Sequence, residues 1–208
     1  MDIKYIGICG VKGSGKSTLA QIIQNKYEKD GYKVIIIPFA YGIKKTLSNF
    51  VADSINIDLD IAKEYFYNPD KKEKIIDGIG VSARVMMTAF GTDFIRSINK
   101  NFWLKYTDHL IEKYITEYND CEKLLFIFDD IRFANEYEYA STKGLVYFIA
   151  RSFEQAHPSF IKRLFSKKVH SSEQGIYKFS TAENLLINDS DISALENVFN
   201  KLDEVYDV

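Results

Sequence analysis

The 208-residue sequence predicts an α/β fold of three layers, in which helices cover both faces of a five-stranded parallel sheet. Three observations carry that prediction. Short strands alternate with longer helices along the chain. The strands are apolar on both faces, as strands buried on both sides are. A glycine-rich turn joins the first strand to the first helix, an arrangement suited to holding a phosphate group.

The segment KYIGIC (4–9) is the first strand. Leu19, Ile22, Ile23 and Tyr27 form a helical stripe that stops near Asp30 and Gly31. KVIIIPF (33–39) reads as the second strand, and Ile43, Leu47, Phe50 and Val51 mark a second helix. From about 53 to 122 the pattern is mostly helical. There Ser82 caps a helix through ARVMMTAFGTDFIRSI, interrupted by Gly91, and Trp103, Leu110, Ile111 and Tyr114 mark another. A third strand at 124–128, a helix over 134–142 closed by Gly144, and a fourth strand at 145–149 follow. A basic stretch, 151–170, is long for a loop and suits a lid. NLLIN (184–188) is the fifth strand, and Ile192, Leu195, Val198, Phe199 and Leu202 form an amphipathic last helix capped by Ser190 or Asp191. The expected organisation is one domain, 1–208, with a helical insertion at 40–122 and a lid at 151–172.

Composition narrows the function classes. A formal charge of −2 gives no general attraction to nucleic acid or anionic membrane, so any phosphate-binding charge must be local. Cys9, in an apolar strand, reads as a buried reduced thiol, and its spacing from Cys121 suggests neither a disulfide framework nor a zinc site. The opening MDIKYIG lacks a signal-peptide pattern and no apolar run is long enough to span a bilayer, so a cytoplasmic protein is expected.

The chemistry begins at GVKGSGKST (10–18), which meets G-x-x-x-x-G-K-[ST] at every fixed position, after a strand and before a helix. This is a P-loop. Gly10, Gly13, Ser14 and Gly15 curl the backbone so that its N–H groups converge, and Thr18 lies in the first helical turn. Lys16 would reach the β- and γ-phosphates, and the Ser17 hydroxyl would ligate Mg²⁺. LLFIFDD (124–130) ends a second apolar strand in two carboxylates, a costly arrangement unless a cation waits there. Asp129 or Asp130 would help hold the metal, directly or through water; the alternative is that both cap the following helix. A P-loop implies ATP or GTP. A GTPase would carry N-K-x-D, but NKYE (25–28) fails at its last position and reads as surface of the first helix. A small kinase needs an acceptor lobe, arginines for a second phosphate and a lid, and the chain offers all three.

The chain resembles a bacteriophage-type deoxynucleoside monophosphate kinase, within the wider P-loop nucleotide-kinase and dephospho-CoA-kinase-like group. Five elements carry the resemblance in order: GVKGSGKST; FAYGIKKTL (39–47); SARVMMTAFGTDFIR (82–96), followed by Trp103; DIRFANE (130–136); and HSSE (170–173), followed by ENLLIND. Residues 53–81 align with little beyond Lys72 and Glu73, which leaves the nucleobase open. The resemblance implies ATP and Mg²⁺ as cofactors, a deoxynucleoside monophosphate as partner, the host cytoplasm if phage-encoded, and homodimerisation as one option. It implies acceptor contacts from Lys44, Arg84, Gly91, Thr92, Asp93, Arg96, Arg132 and Glu136, with Arg132, Lys16 and Asp130 at the reacting phosphates. Arg151 and Arg163 would meet ATP, while His170 and Glu173 would anchor the lid base.

Each assignment has a plainer alternative. Lys44 sits beside Lys45 and could be solvated; Arg84 and Arg96 could be surface helix arginines; Arg132, expected to take a phosphate oxygen with Asn135 and Glu136 fixing its loop, could simply neutralise Asp129 and Asp130. Phe90, Phe94, Phe102 and Trp103 could stack on a base or pack a core. Two other functions compete with the first: a kinase for dephospho-CoA or another small metabolite, and a nucleotide-dependent switch without phosphotransfer.

Overall fold

The computed structural model describes residues 1–156, 179–181 and 183–206. Arg163, Lys162, Lys167, Lys168, His170, Glu173 and most of the lid expected at 151–172 lie outside the described residues. The chain forms two compact units, Met1–Pro38 with Leu110–Val208, and Phe39–His109.

The first unit is built on a five-stranded sheet of β1 (Asp2–Cys9), β2 (Lys33–Ile36), β3 (Lys123–Ile131), β4 (Leu145–Ala150) and β5 (Leu185–Ile187). Their order is β2-β3-β1-β4-β5, and every pairing is parallel. The three-layer α/β expectation holds. Central β1 and β3 are the apolar runs read from the sequence: Ile6, Ile8 and Leu124 through Phe128 are fully buried. Helix α1 (Lys16–Lys29) lays Leu19, Ile22, Ile23 and Tyr27 on this core. It stops where Gly31 takes a φ of 85°, a left-handed conformation that glycine adopts without strain.

β2 is shorter than the expected 33–39. Ile37 still donates to the Ile127 carbonyl at 2.8 Å, and the strand gives way at Pro38. β3 is longer than expected and runs through both acids to Ile131. Helix α7 (Ala134–Lys143) does end at Gly144, but not through a left-handed cap: the φ there is −175°. Glycine is required because a Cβ would lie 2.0 Å from the Tyr5 carbonyl oxygen of β1.

The NKYE stretch is not all surface. Asn25 and Glu28 are exposed, but Tyr27 is 2% exposed and donates to Asp203 at 3.0 Å, and Lys26 is ion-paired with the same carboxylate. A short helix, α8 (Phe153–Ala156), follows β4, and Asp203 lies on the last helix, α9 (Ile192–Tyr206), whose Leu195 and Phe199 join the core of the first unit. Asp191 caps α9 by accepting from the Ala194 N–H at 2.8 Å.

The second unit holds α2 (Tyr41–Ile55), α3 (Leu59–Tyr67), α4 (Ala83–Met87), a π-helical stretch (Thr88–Ile95), α5 (Arg96–Ile98) and the start of α6 (Phe102–Glu117). Leu47, Val51, Ala62, Phe66, Ile76 and Ala83 form its core. Ser82 caps α4, its hydroxyl accepting from Val85 N–H at 3.4 Å. Residues 68–82 are not helical: Gly78 and Gly80 take φ values of 85° and 83°, and Ile75 bridges to Ser82. The segment after Ser82 is wound wider than an α-helix around Gly91. A Cβ at Gly91 would lie 2.4 Å from the Ile43 side chain, and the Gly91 carbonyl accepts from the Trp103 indole at 3.0 Å. A π-stretch frees a backbone carbonyl for such a contact.

Candidate active site

The P-loop follows β1 without a break. Gly10, Gly13 and Gly15 take φ values of 154°, 77° and 106°, which L-residues rarely adopt, so the run of glycines is a backbone requirement. Helix α1 begins at Lys16 with no side-chain cap on its free N–H groups and no acid in its first turn. An uncapped helix start behind a left-handed glycine turn is a fitting seat for an anion, since the N–H groups and the helix dipole both favour negative charge.

Four of the loop's carbonyls are held by side chains. The Lys16 ammonium donates to the Gly10 and Val11 carbonyls at 2.8 and 2.9 Å. Arg151, just past β4, donates from Nε to the Gly13 carbonyl at 3.1 Å and from Nη1 to the Asn188 carbonyl at 3.2 Å. Asn188, just past β5, donates from Nδ2 to the Ser14 carbonyl at 2.9 Å. The sequence reading did not assign Asn188; its only signal was its place at the end of the fifth strand. Cys9, immediately before the loop, is fully buried, and burial pushes its thiol up to about 12. It is a core residue, not a nucleophile.

β3 brings the two acids beside this loop. Gly7 of β1 pairs with Phe128, but Cys9 pairs with Ile131, so β3 carries one extra residue across that interval. Asp129 and Asp130 therefore occupy a β-bulge, which breaks the alternation of side chains and re-aims them. Both are half-buried, at the level of Ile8 and Cys9. The two acids, expected to end the strand, are followed in it by one more residue, Ile131.

Among the described residues no group of three or more acids, histidines or cysteines could hold a metal on protein ligands alone. A Ser17 hydroxyl and one or two carboxylates match what Mg²⁺ takes from a protein when phosphates and water complete its shell. The donor set therefore fits that ion.

Arg132 follows β3. Its backbone N–H and that of Phe133 both donate to Glu136 Oε2, at 2.9 and 3.1 Å. Glu136 is 4% exposed and ties down the turn that starts α7. One oxygen of its carboxylate is thus held by the backbone of the Arg132 turn. The Arg132 guanidinium is half-buried and makes no hydrogen bond or ion pair among the described residues.

The other expected acceptor residues belong to the second unit. Lys44 sits 5.1 Å from the Tyr67 ring centre. Burial pushes the Tyr67 phenol up to about 12, with Tyr41 and Tyr106 adding to the effect. Arg84 pairs with Glu73 at 3.2 Å, Arg96 and Thr92 are half-buried, and Asp93 is exposed. Trp103 is 3% exposed and packs against Phe90, Phe102 and Tyr106, so it serves the core and not a base stack.

Among known proteins, the sequence model of the deoxynucleotide monophosphate kinase family matches residues 64–199. The P-loop at 10–18 lies outside that span, so motif and family match rest on different residues. No curated relative matches the chain. Among solved structures, a point mutant of the APS kinase CysC from Mycobacterium tuberculosis is 12% identical, covering 98% of each chain at a TM-score of 0.42. TT1252 from Thermus thermophilus is 17% identical, covering 97% of each chain at a TM-score of 0.44. Likenesses at that level say nothing of substrate.

Proposed function

From the premise that this chain belongs to the deoxynucleotide monophosphate kinase family, and is thus a nucleotide kinase, we propose that it transfers the γ-phosphoryl group of ATP to a deoxynucleoside 5′-monophosphate, giving the diphosphate. The observation that carries the proposal is the juxtaposition of two features at the C-terminal edge of adjacent parallel strands. One is an uncapped, glycine-framed helix start after β1. The other is the pair of bulged carboxylates on β3, with Arg132 beyond them.

In this reading the loop N–H groups and Lys16 hold the donor phosphates. Lys16 exchanges its carbonyl partners for phosphate oxygens at little cost, because it is already half-exposed. Ser17 with Asp129 or Asp130 would hold Mg²⁺, which would supply charge neutralisation at the bridging oxygens. Arg132 binds a phosphate oxygen through its planar fork. The acceptor phosphate has a second pKa of about 6, so its attacking oxygen is already ionised at neutral pH and no general base is required. The chain's task is to hold two polyanions in line and offset their repulsion. Lys44, Arg84 and Arg96 remain the proposed acceptor cations, Arg84 after release from Glu73. Arg151 and Arg163 remain proposed donor contacts, and 151–172 the proposed lid.

A coupled ADP-release assay across deoxynucleoside and ribonucleoside monophosphates and dephospho-CoA tests the proposal. Turnover stimulated by a deoxynucleoside monophosphate is the expected result. Turnover with dephospho-CoA alone, or ATP binding with no acceptor-stimulated ADP, overturns it.

A further inference from the structure

The donor loop works only if its N–H groups face inward, and in each peptide unit the N–H points opposite to the C=O. Whatever grips the carbonyls from outside therefore aims the N–H groups. Arg151 grips the Gly13–Ser14 peptide, whose N–H is turned to the Val11 carbonyl at 3.2 Å, and Asn188 grips the Ser14–Gly15 peptide. Asn188 is much the more buried of the two, at 6% exposed, and it is fixed in turn: its own N–H donates to the Ala150 carbonyl at 2.7 Å. The same side chain sets the shape of the loop. A Cβ built on Gly15 would lie 2.2 Å from Asn188 Nδ2, so the last loop glycine and the asparagine fit each other.

We propose that Asn188 is a positioning residue for the donor site: by holding the Ser14 carbonyl it aims the Gly15 N–H at the ATP phosphates. The inference rests on the phosphotransfer reading, which makes the P-loop the donor site. It assigns Asn188 no contact with substrate. Its effect runs through one peptide plane, so it should fall on ATP and spare the acceptor.

The test is calorimetric titration of the full-length chain with ATP and Mg²⁺, and separately with a deoxynucleoside monophosphate, together with thermal unfolding. Asn188→Ala removes the donor. Asn188→Asp keeps the size but sets an acceptor against the Ser14 carbonyl. Both are expected to weaken ATP binding about tenfold or more, as for one lost buried hydrogen bond that preorganises a site. Acceptor affinity should change less than about twofold. Asn188→Asp is the deciding variant if Asn188→Ala does not fold. Unchanged ATP affinity in a folded variant, or equal losses for ATP and acceptor, overturns the inference. If the wild-type chain itself fails to bind ATP, the phosphotransfer reading falls instead.

Discussion

Replacing Glu136 separates its structural role from a substrate contact. Its carboxylate accepts two backbone N–H groups on one oxygen, from Arg132 at 2.9 Å and Phe133 at 3.1 Å, and is almost fully buried. Hydrogen bonds to a charged acceptor contribute about 1.5–3 kcal/mol each. Arg132 and Phe133 are only half-buried, so water recovers part of that when the acceptor is lost. Glu136→Ala should then cost about 2–4 kcal/mol, or roughly 5–15 °C in Tm for a chain of this length. Glu136→Gln keeps an oxygen that can accept but loses the charge that suits a helix start, and should cost about 1 kcal/mol. Urea unfolding of the three proteins gives the order, and steady-state kinetics below the transition gives the consequence. Both variants should lower kcat/KM in the same order, because the turn that presents Arg132 loosens. If Glu136→Ala unfolds like the wild type while kcat/KM collapses, the carboxylate is a substrate contact and the reasoning fails.

Three further outcomes follow from the same geometry. Lys16→Ala should cut kcat by at least about a thousandfold while circular dichroism stays native, because in the proposed reading Lys16 is the P-loop side chain that meets the transferring group; wild-type kcat would contradict the P-loop role. Arg132→Lys keeps the charge and loses the fork, so kcat/KM should fall about a hundredfold with little change in Tm; full activity, or a loss confined to stability, would make the arginine structural. The Cys9 thiol is raised by burial from the ordinary 9.0 to about 12, so the folded state holds its proton where the unfolded state releases it. That stability is complete below about pH 9 and fades as pH climbs, by about 1 kcal/mol between pH 9 and 10. Urea midpoints over that range should fall less steeply for Cys9→Ala than for the wild type, and equal slopes would contradict the assignment.

Much of the sheet was legible because its signals are local. Apolar runs between breakers mark strands, and the spacing of glycines around Lys16 can serve little except a phosphate loop. Features set by a neighbour in space were not legible. The bulge at Asp129 and Asp130 depends on register against Gly7 and Cys9 of β1. The widened helix around Gly91 depends on the Trp103 indole and the Ile43 side chain. Gly144 looked like a left-handed cap but is a close approach to Tyr5. Lys26 looked solvated because Asp203, its partner, lies 177 residues away in the chain. At the site, the loop was visible and its brace was not: Asn188 is a single polar residue after a short strand, and only the folded chain sets it against the Ser14 carbonyl.

Phosphorus NMR of the wild-type chain with ATP, Mg²⁺ and a deoxynucleoside monophosphate tests phosphoryl transfer between nucleotides most directly, because it follows the phosphorus itself. The account predicts that for each ADP formed one deoxynucleoside diphosphate appears, with no build-up of inorganic phosphate, and that the exchange stops with Lys16→Ala. ADP accumulating only alongside inorganic phosphate, or resonances that do not change under any acceptor, would contradict it.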